Sequence, residues 1–471
     1  MNLDTTIDPL FTETLIKNHQ EWLFEHLQTL NPEEQACLIS ELKQVPWHIF
    51  EKTQNEEELV RQIESAQAPT FVPYELDGNQ EEMKSYQVIG EQAIKDGKVA
   101  LLLVAGGLGS RLSFEGPKGI YPARPISKIS LFEHFAQKIK VLQRKYGIVL
   151  DWMIMTSFQN EASTKLFFQA NRFFGLKQDQ IHFFNQSGVI AFDQESQHVL
   201  LKDRSHLQLY PDGHGGMISA FKQSNLPKIM QAKGVEIISY FQVDNPLIDL
   251  LDPLFIGLHL AHHSSSREIS SKIVEKLDEN EKVGLFMSIE NQLRLIEYHQ
   301  IPSDILGLKD ENDVLKFRCA SIAAHIVQLD FLLSCEEDLY IYESIKSLSY
   351  FDPIQNQMIT KQGRKFERFF FDLIPKAKKS LIYETKRSQE FAPIKNRQGK
   401  DTPESSYLLQ SEKIKSWLKA LGFLDWIDAL SLEHIVELSP LSANDQNELS
   451  TAIQNGKITL NHPIQDQKVL L

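Results

Sequence analysis

Between Val99 and Gly119 the chain reads VALLLVAGGLGSRLSFEGPKG, so Gly106, Gly107 and Gly109 stand just ahead of Arg111 and Lys118. Glycines remove side chains where a ligand would approach the backbone, and they permit positive φ. The N–H groups of such a loop can point together at an anion. Arg111 adds a planar, permanently charged fork and Lys118 a point charge between two turn-formers. This is the chemistry of a polyphosphate site. The spacing fits neither familiar phosphate loop. A dinucleotide fingerprint counted from Gly107 would need glycine at Leu112, and a Walker A loop would need Ser or Thr where Gly119 follows Lys118.

Two further stretches belong with the first. LYPDGHGGMISAF sets Gly213, Gly215 and Gly216 before an apolar-periodic helix, and is expected to offer free N–H groups at a helix start. SYFQVDNPL ends a strand at Asp244, where a carboxylate can hold Mg²⁺ that bridges phosphates. The bland alternatives are ordinary turns for both, an Asx turn before Pro246 in the second. HLAHH (His259, His262, His263) lies in a helix opened by Asp252 and Pro253, with no carboxylate at ligand spacing, and reads as packing and surface histidine. LDENEK reads as a solvated turn, and KFERFFFD as a core strand rather than an aromatic platform.

These loops need a scaffold. KVALLLVAG, IVLDWMIMTS, HFFNQ and VEIISYFQVDN read as strands. ISLFEHFAQKIKVLQRKYG, ended by Gly147, NEASTKLFFQANRFFG, ended by Gly175, and DPLFIGLHLAHH read as helices. Strands alternating with helices argue for an α/β, doubly wound sheet, whose ligands sit beyond the carboxyl ends of its strands. The loops at Ala105, Thr156 and Asp244 are therefore the ones to watch. Residues 1–90 read as a helical segment, with Asn31-Pro32-Glu33-Glu34 as a helix start. Residues 91–400 are expected to form the catalytic domain, and 401–471 a small C-terminal domain.

Composition bounds the partners. The 471 residues carry 49 basic and 63 acidic side chains, a formal charge of −14, which disfavours broad binding to nucleic acid or anionic membrane. The three cysteines, Cys37, Cys319 and Cys335, show no CxxC pair and no metal-ligand spacing, as expected for a reducing compartment. The first residues lack the pattern of a signal peptide, and the apolar run Val99–Ala105 is too short to span a bilayer. The expectation is a soluble, cytoplasmic protein, with monomer and homodimer both open.

With LLLVAGGLGSRL, PKGIY, WMIMTS, STKLFF, FFGLK, FFNQ, YPDGHGG, VDNPLIDLLDPLFIG, KIVEK, IEY, FERFFFD and EFAPIKN occurring in this order, the chain resembles the UDP-sugar pyrophosphorylases, above all the eukaryotic-type UDP-N-acetylhexosamine enzymes. The resemblance runs from about Val99 to Lys400. It implies a Rossmann-like, doubly wound mixed sheet of the nucleotidyltransferase (GT-A-like) kind. It also implies uridylyl transfer from UTP to a sugar 1-phosphate, with N-acetylglucosamine 1-phosphate ahead of glucose 1-phosphate or a broader range. A non-catalytic uridine-nucleotide binder is the alternative of a different class.

Carried over by position, Gly106 and Gly107 hold base and ribose, and Arg111, Lys118 and Lys395 face the phosphates. Gln186 reads uracil, and Gly213 and His214 sit between base and sugar. Glu297 grips sugar hydroxyls, and Asp244 binds Mg²⁺. Two positions depart from the pattern. The family's NAGNIANH reads Arg318–His325 here, which puts Ser321 where an asparagine should meet the sugar. His214 replaces the asparagine usual in N-acetylhexosamine enzymes, while the small Gly216 keeps their pattern and is expected to leave room for an acetamido group.

Overall fold

The computed structural model describes residues 8–52, 56–74, 80–335, 339–430, 434–460 and 468–471, and the chain divides into two units that are not consecutive in sequence. The first draws on residues 1–59, 186–220 and 336–372; the second holds the remainder.

The second unit is built on a nine-stranded sheet. Its strands are β1 (Val99–Val104), β2 (Trp152–Thr156), β3 (Ile181–Asn185), β4 (Ile237–Gln242), β5 (Ile269–Glu275), β6 (Leu285–Ile289), β7 (Gln292–Ile296), β8 (Cys319–Gln328) and β9 (Leu381–Glu384). The main path runs β7-β6-β8-β4-β1-β2-β3, with β5 pairing β8 and β9. From β4 to β3 all pairs are parallel, whereas β8 is antiparallel to β4, β5 and β6. The sheet is thus mixed and α/β in kind. Val99 to Leu103 and all of β2 are buried, as unbroken apolar runs on both faces of a covered parallel sheet must be.

Helices sit where periodicity puts them. Leu131–Tyr146 starts on a Ser130 cap whose side chain accepts from Glu133 N–H, and ends at Gly147 with φ +69°. Pro253–Ala261 starts on Asp252, whose carboxylate accepts from Leu254 and Phe255 N–H. One expectation fails: the helix from Glu161 stops at Ala170 rather than Gly175, because Arg172, Phe173 and Phe174 take positive φ. Each left-handed residue costs ~1–2 kcal/mol, and Phe174 packs against Phe168 with 5.1 Å between ring centres.

The described residues from Pro403 onward fold within the second unit around Ile414, Leu418, Trp426, Val436 and Leu449. Tyr407 Oη donates to Pro122 O (3.0 Å), and the Glu437 carboxylate accepts from Ile126 N–H (2.7 Å). Among the described residues no helix is long and apolar enough to cross a membrane.

The first unit packs three helices, Pro9–Lys17, Trp22–Gln28 and Pro32–Gln44, with a three-stranded antiparallel sheet of Tyr342–Asp352, Gln357–Glu367 and Phe192–Asp193. The Asn31 start is a full capping box: its side chain accepts from Glu33 and Glu34 N–H, and Glu34 accepts from Asn31 N–H.

Candidate functional site

β1, β2 and β4 all end on the same edge of the sheet, and the loops that leave them form the core of the site. Val243 N–H donates to Val104 O (3.2 Å), which aligns the ends of β4 and β1. Beyond β1 the backbone of Gly106 and Gly107 is held from behind. Ser157 Oγ donates to Gly106 O (2.9 Å), and Asn160 Nδ2 to Ala105 O (2.9 Å) and Gly107 O (3.3 Å). Both side chains are fully buried. Lys118 N–H closes the loop onto Gly107 O (3.1 Å).

Of the glycines here, Gly107 has nothing within 4 Å of where a Cβ would stand, which leaves its outer face open to a ligand. Gly109 is glycine for another reason: a Cβ would lie 2.7 Å from the Phe114 ring. Positive φ, expected as one use of these glycines, is reached at Gly116 (+126°), whereas Gly109 has φ −78°.

Lys118 Nζ lies 3.6 Å from Asp244 Oδ2, and both side chains are largely covered. Burial pushes the Lys118 ammonium below its usual range, Asp244 opposes that shift, and the charges of Lys395 and Arg111 add to it. Burial would raise the Asp244 carboxyl, but Lys118 and Lys395 together hold it below the usual carboxylate range. Lys118 is therefore the meeting point: Asp244, Lys395 and Arg111 all lie within its electrostatic reach, and Lys395 also reaches Asp244. Lys395 arrives from the distant segment 390–397, which is stitched to the strand ends. Ile394 N–H donates to Asp244 O (2.8 Å), Arg397 N–H to Arg111 O (3.0 Å), and Asn245 Nδ2 to Glu390 O (2.7 Å). Asp401 lies 3.7 Å from Lys395 Nζ.

At the antiparallel end, Glu297 and Ser321 meet around Gly284. Ser321 N–H donates to Gly284 O (2.9 Å), and Glu297 Oε1 lies 3.6 Å from the position of a Gly284 Cβ. Ser321 Oγ accepts from Ala323 N–H (3.2 Å) inside a bulge of β8, where Ala323 takes φ +55°. A serine in place of asparagine here spends its hydroxyl on the bulge.

Gln186, Gly213 and His214 lie in the first unit. The second glycine loop corrects the expectation of free N–H groups: Gly215 N–H donates to Arg368 O (2.9 Å) and Gly216 N–H to Gly213 O (3.2 Å). Its glycines exist to let backbone pass backbone. A Cβ would lie 2.5 Å from Arg368 O at Gly213 (φ +82°) and 2.6 Å from Arg368 C at Gly215. At Gly216 it would lie 1.9 Å from Asp212 Oδ1, so the space over Gly216 is taken by that carboxylate and is not left for an acetamido group. Asp212 is buried, and among the described residues its Oδ1 has no hydrogen-bond partner. Burial pushes its pKa up to about 7, against the nearby Arg368 charge.

His214 Nδ1 accepts from Phe370 N–H (3.1 Å), and its ring stacks on Phe369 at 5.3 Å, with Phe371 4.9 Å from Phe369 and 5.6 Å from His214. KFERFFFD is thus strand only to Glu367, and its phenylalanines do form an aromatic cluster. Burial pulls the His214 pKa down to about 4, against Glu367, so the imidazole is neutral near pH 7. His259 is a packing histidine as expected, fully buried with Nδ1 2.9 Å from Ser270 Oγ.

Sequence reasoning missed Ser157, Asn160, Asn245 and Asp401. The first three lie within four residues of a strand end, a positional signal that their ordinary residue types conceal.

A mixed α/β sheet whose parallel strands end at an open glycine turn, a lysine and a carboxylate has the layout of a nucleotide-phosphate-handling fold. The family model described as UTP–glucose-1-phosphate uridylyltransferase matches residues 43–414, and the chain belongs to that family. It is 33% identical over 438 residues to the UDP-N-acetylglucosamine pyrophosphorylase of Saccharomyces cerevisiae, covering 87% of this chain and 91% of that protein. It is also 33% identical over 391 residues to a probable UDP-N-acetylglucosamine pyrophosphorylase of Dictyostelium discoideum, covering 78% of this chain and 79% of that one. The crystal structure of the uridine diphosphate N-acetylglucosamine pyrophosphorylase of Trypanosoma brucei in complex with inhibitor shares the fold. Its TM-score is 0.78 at 24% identity, over 100% of this chain and 99% of that one.

Proposed function

We propose that the protein joins UTP and N-acetylglucosamine 1-phosphate to give UDP-N-acetylglucosamine and pyrophosphate. The observation that carries this is the Lys118–Asp244 pair beyond the strand ends, with Arg111 and Lys395 as charged neighbours of Lys118, in a chain 33% identical to an enzyme of that name over most of both lengths. An oxygen of the sugar phosphate attacks the α-phosphorus of UTP, the bond to the bridging oxygen breaks, and pyrophosphate leaves with that electron pair. The nucleophile is already anionic, so no general base is needed. The obstacle is repulsion between two polyanions. Lys118 and Arg111 neutralise charge at the phosphates, and Lys395, held by the 390–397 segment, adds a third cation. The open face of Gly107 admits base and ribose against bare backbone. Glu297 takes the role the resemblance gives it, toward sugar hydroxyls.

Mg²⁺ fits the donor present. Asp244 is held ionised, and one carboxylate completed by phosphate oxygens and water is an ordinary Mg²⁺ environment. When bound, the ion would neutralise phosphate charge there. A cytoplasmic location belongs to the same proposal, as substrates of this kind are intracellular metabolites.

The test is pyrophosphate release from UTP with a panel of hexose and N-acetylhexosamine 1-phosphates. N-acetylglucosamine 1-phosphate is expected to give the highest kcat/KM. A higher value for glucose 1-phosphate overturns the sugar assignment, and no release with any sugar overturns the activity.

A further inference from the structure

The three cysteines show no metal-ligand spacing in sequence, yet folding brings one of them into a metal-ligating group. Cys37 and Glu41 are one turn apart on the helix Pro32–Gln44, and so share a face. Opposite them, within the first unit, the loop Lys202–His206 closes on itself through Lys202 N–H to His206 O (2.9 Å). One ligand atom from each of Cys37, Glu41 and His206 lies within 4.8 Å of the others, the spread of groups that could share one ion. Among the described residues this is the one such group of His, Cys, Asp and Glu.

The orientation of the ligands is set from behind. Asp203 Oδ1 lies 2.8 Å from His206 Nδ1 and also accepts Ser205 N–H (2.9 Å). A carboxylate there keeps the proton on Nδ1 and turns the Nε2 lone pair outward, the tautomer a metal needs. That Nε2 lies 3.2 Å from Cys37 Sγ. Glu41 is fixed as well: its Oε2 accepts Leu207 N–H (2.7 Å), which leaves Oε1 for another partner. All three side chains are partly exposed, so an ion can enter and a water can complete a fourth position.

We propose that Cys37, Glu41 and His206 bind a zinc ion, with Asp203 orienting the histidine. Thiolate, imidazole and carboxylate are the ligand types zinc prefers, while Mg²⁺ and Ca²⁺ take oxygen ligands alone. One thiolate and one carboxylate balance the two positive charges. The ion ties the helix Pro32–Gln44 to a loop more than a hundred and fifty residues later, beside the apolar contacts that Leu38, Leu42, Leu201 and Leu207 make in one cluster. The role is a structural clip, separate from the chemistry at Asp244.

Cobalt titration of the tag-free, reduced, full-length protein tests this. The expected result is a thiolate-to-cobalt charge-transfer band that saturates at a single ion per chain. Zn²⁺ should bleach it and excess Mg²⁺ should not. Cys319 and Cys335 are buried and do not account for such a band. Cys37→Ser should abolish it, and Asp203→Asn should weaken cobalt affinity about 10–100-fold. Zn²⁺ should raise the unfolding midpoint of the wild type and leave that of Cys37→Ser unmoved, with far-UV circular dichroism confirming that the variant is folded. Absence of a band in the wild type overturns the proposal without reference to any variant. So does a band that persists in Cys37→Ser, or one that Mg²⁺ removes.

Discussion

The molecule contains two glycine loops that look alike in sequence and do opposite things. At Gly107 the missing side chain leaves open space, and the loop's carbonyls are pinned from behind by Ser157 and Asn160. At Gly213, Gly215 and Gly216 the missing side chains are already filled by the Arg368 backbone and the Asp212 carboxylate, and the N–H groups of Gly215 and Gly216 are spent within the protein. One loop is bare so that something else can come near. The other is bare because something is near already. A glycine in a motif therefore identifies close approach without saying whether the neighbour is a ligand or the chain itself.

The contrast can be broken by substitution. Gly215→Ala should cost about 3 kcal/mol or more in denaturant unfolding, because the overlap at 2.6 Å is with backbone that cannot rotate away. A stability within error of wild type would end the packing account. Next in size, Lys118→Ala or Arg111→Ala should each remove ~2–4 kcal/mol of transition-state stabilisation, read as a fall in kcat with the fold intact. Near-normal turnover in either variant would remove that residue from the phosphate site.

Asp212 gives a smaller effect that depends on pH. Its folded-state pKa stands at about 7 against an ordinary 3.8, so the folded protein prefers the protonated carboxyl. Between those values the folded state binds more protons than the unfolded one, so stability falls as pH rises through this window and is fully reduced above it. Asp212→Asn should therefore be more stable than wild type at pH 8, by about 2 kcal/mol, with the difference closing toward pH 4. An equal difference at both pH values would refute the buried-charge explanation. Smallest of all, Gly107→Ala should change stability by less than about 0.5 kcal/mol while raising the KM for UTP. Unchanged KM would mean that the open face is not used.

Much of the scaffold could be read from the chain because local rules decided it. The apolar run at Val99, the Asn31 and Asp252 caps and the Gly147 stop each act within a few residues. What escaped depended on distance. The approach of Cys37 to His206 and the hold of Asn245 on Glu390 each join residues more than a hundred apart. The early end of the helix at Ala170 is a tertiary override as well, since aromatic packing at Phe168 and Phe174 won over continued periodicity. In the site itself residue types were enough to single out Lys118 and Asp244, which the fold pairs at 3.6 Å. Ser157 and Asn160 do have bland uses everywhere, and only the carbonyls they hold give them away.

The helices between Pro9 and Gln44 emerge from the ribosome long before the residues that cover them. Leu15, Leu23, Leu38 and Leu42 are wholly buried in the finished protein, against Val189, Leu201 and Leu207, and later Ile341 and Phe366. Until those segments are synthesised, the nascent chain carries oily helices with no native mate. This end of the protein is where a chaperone has reason to bind first and let go last.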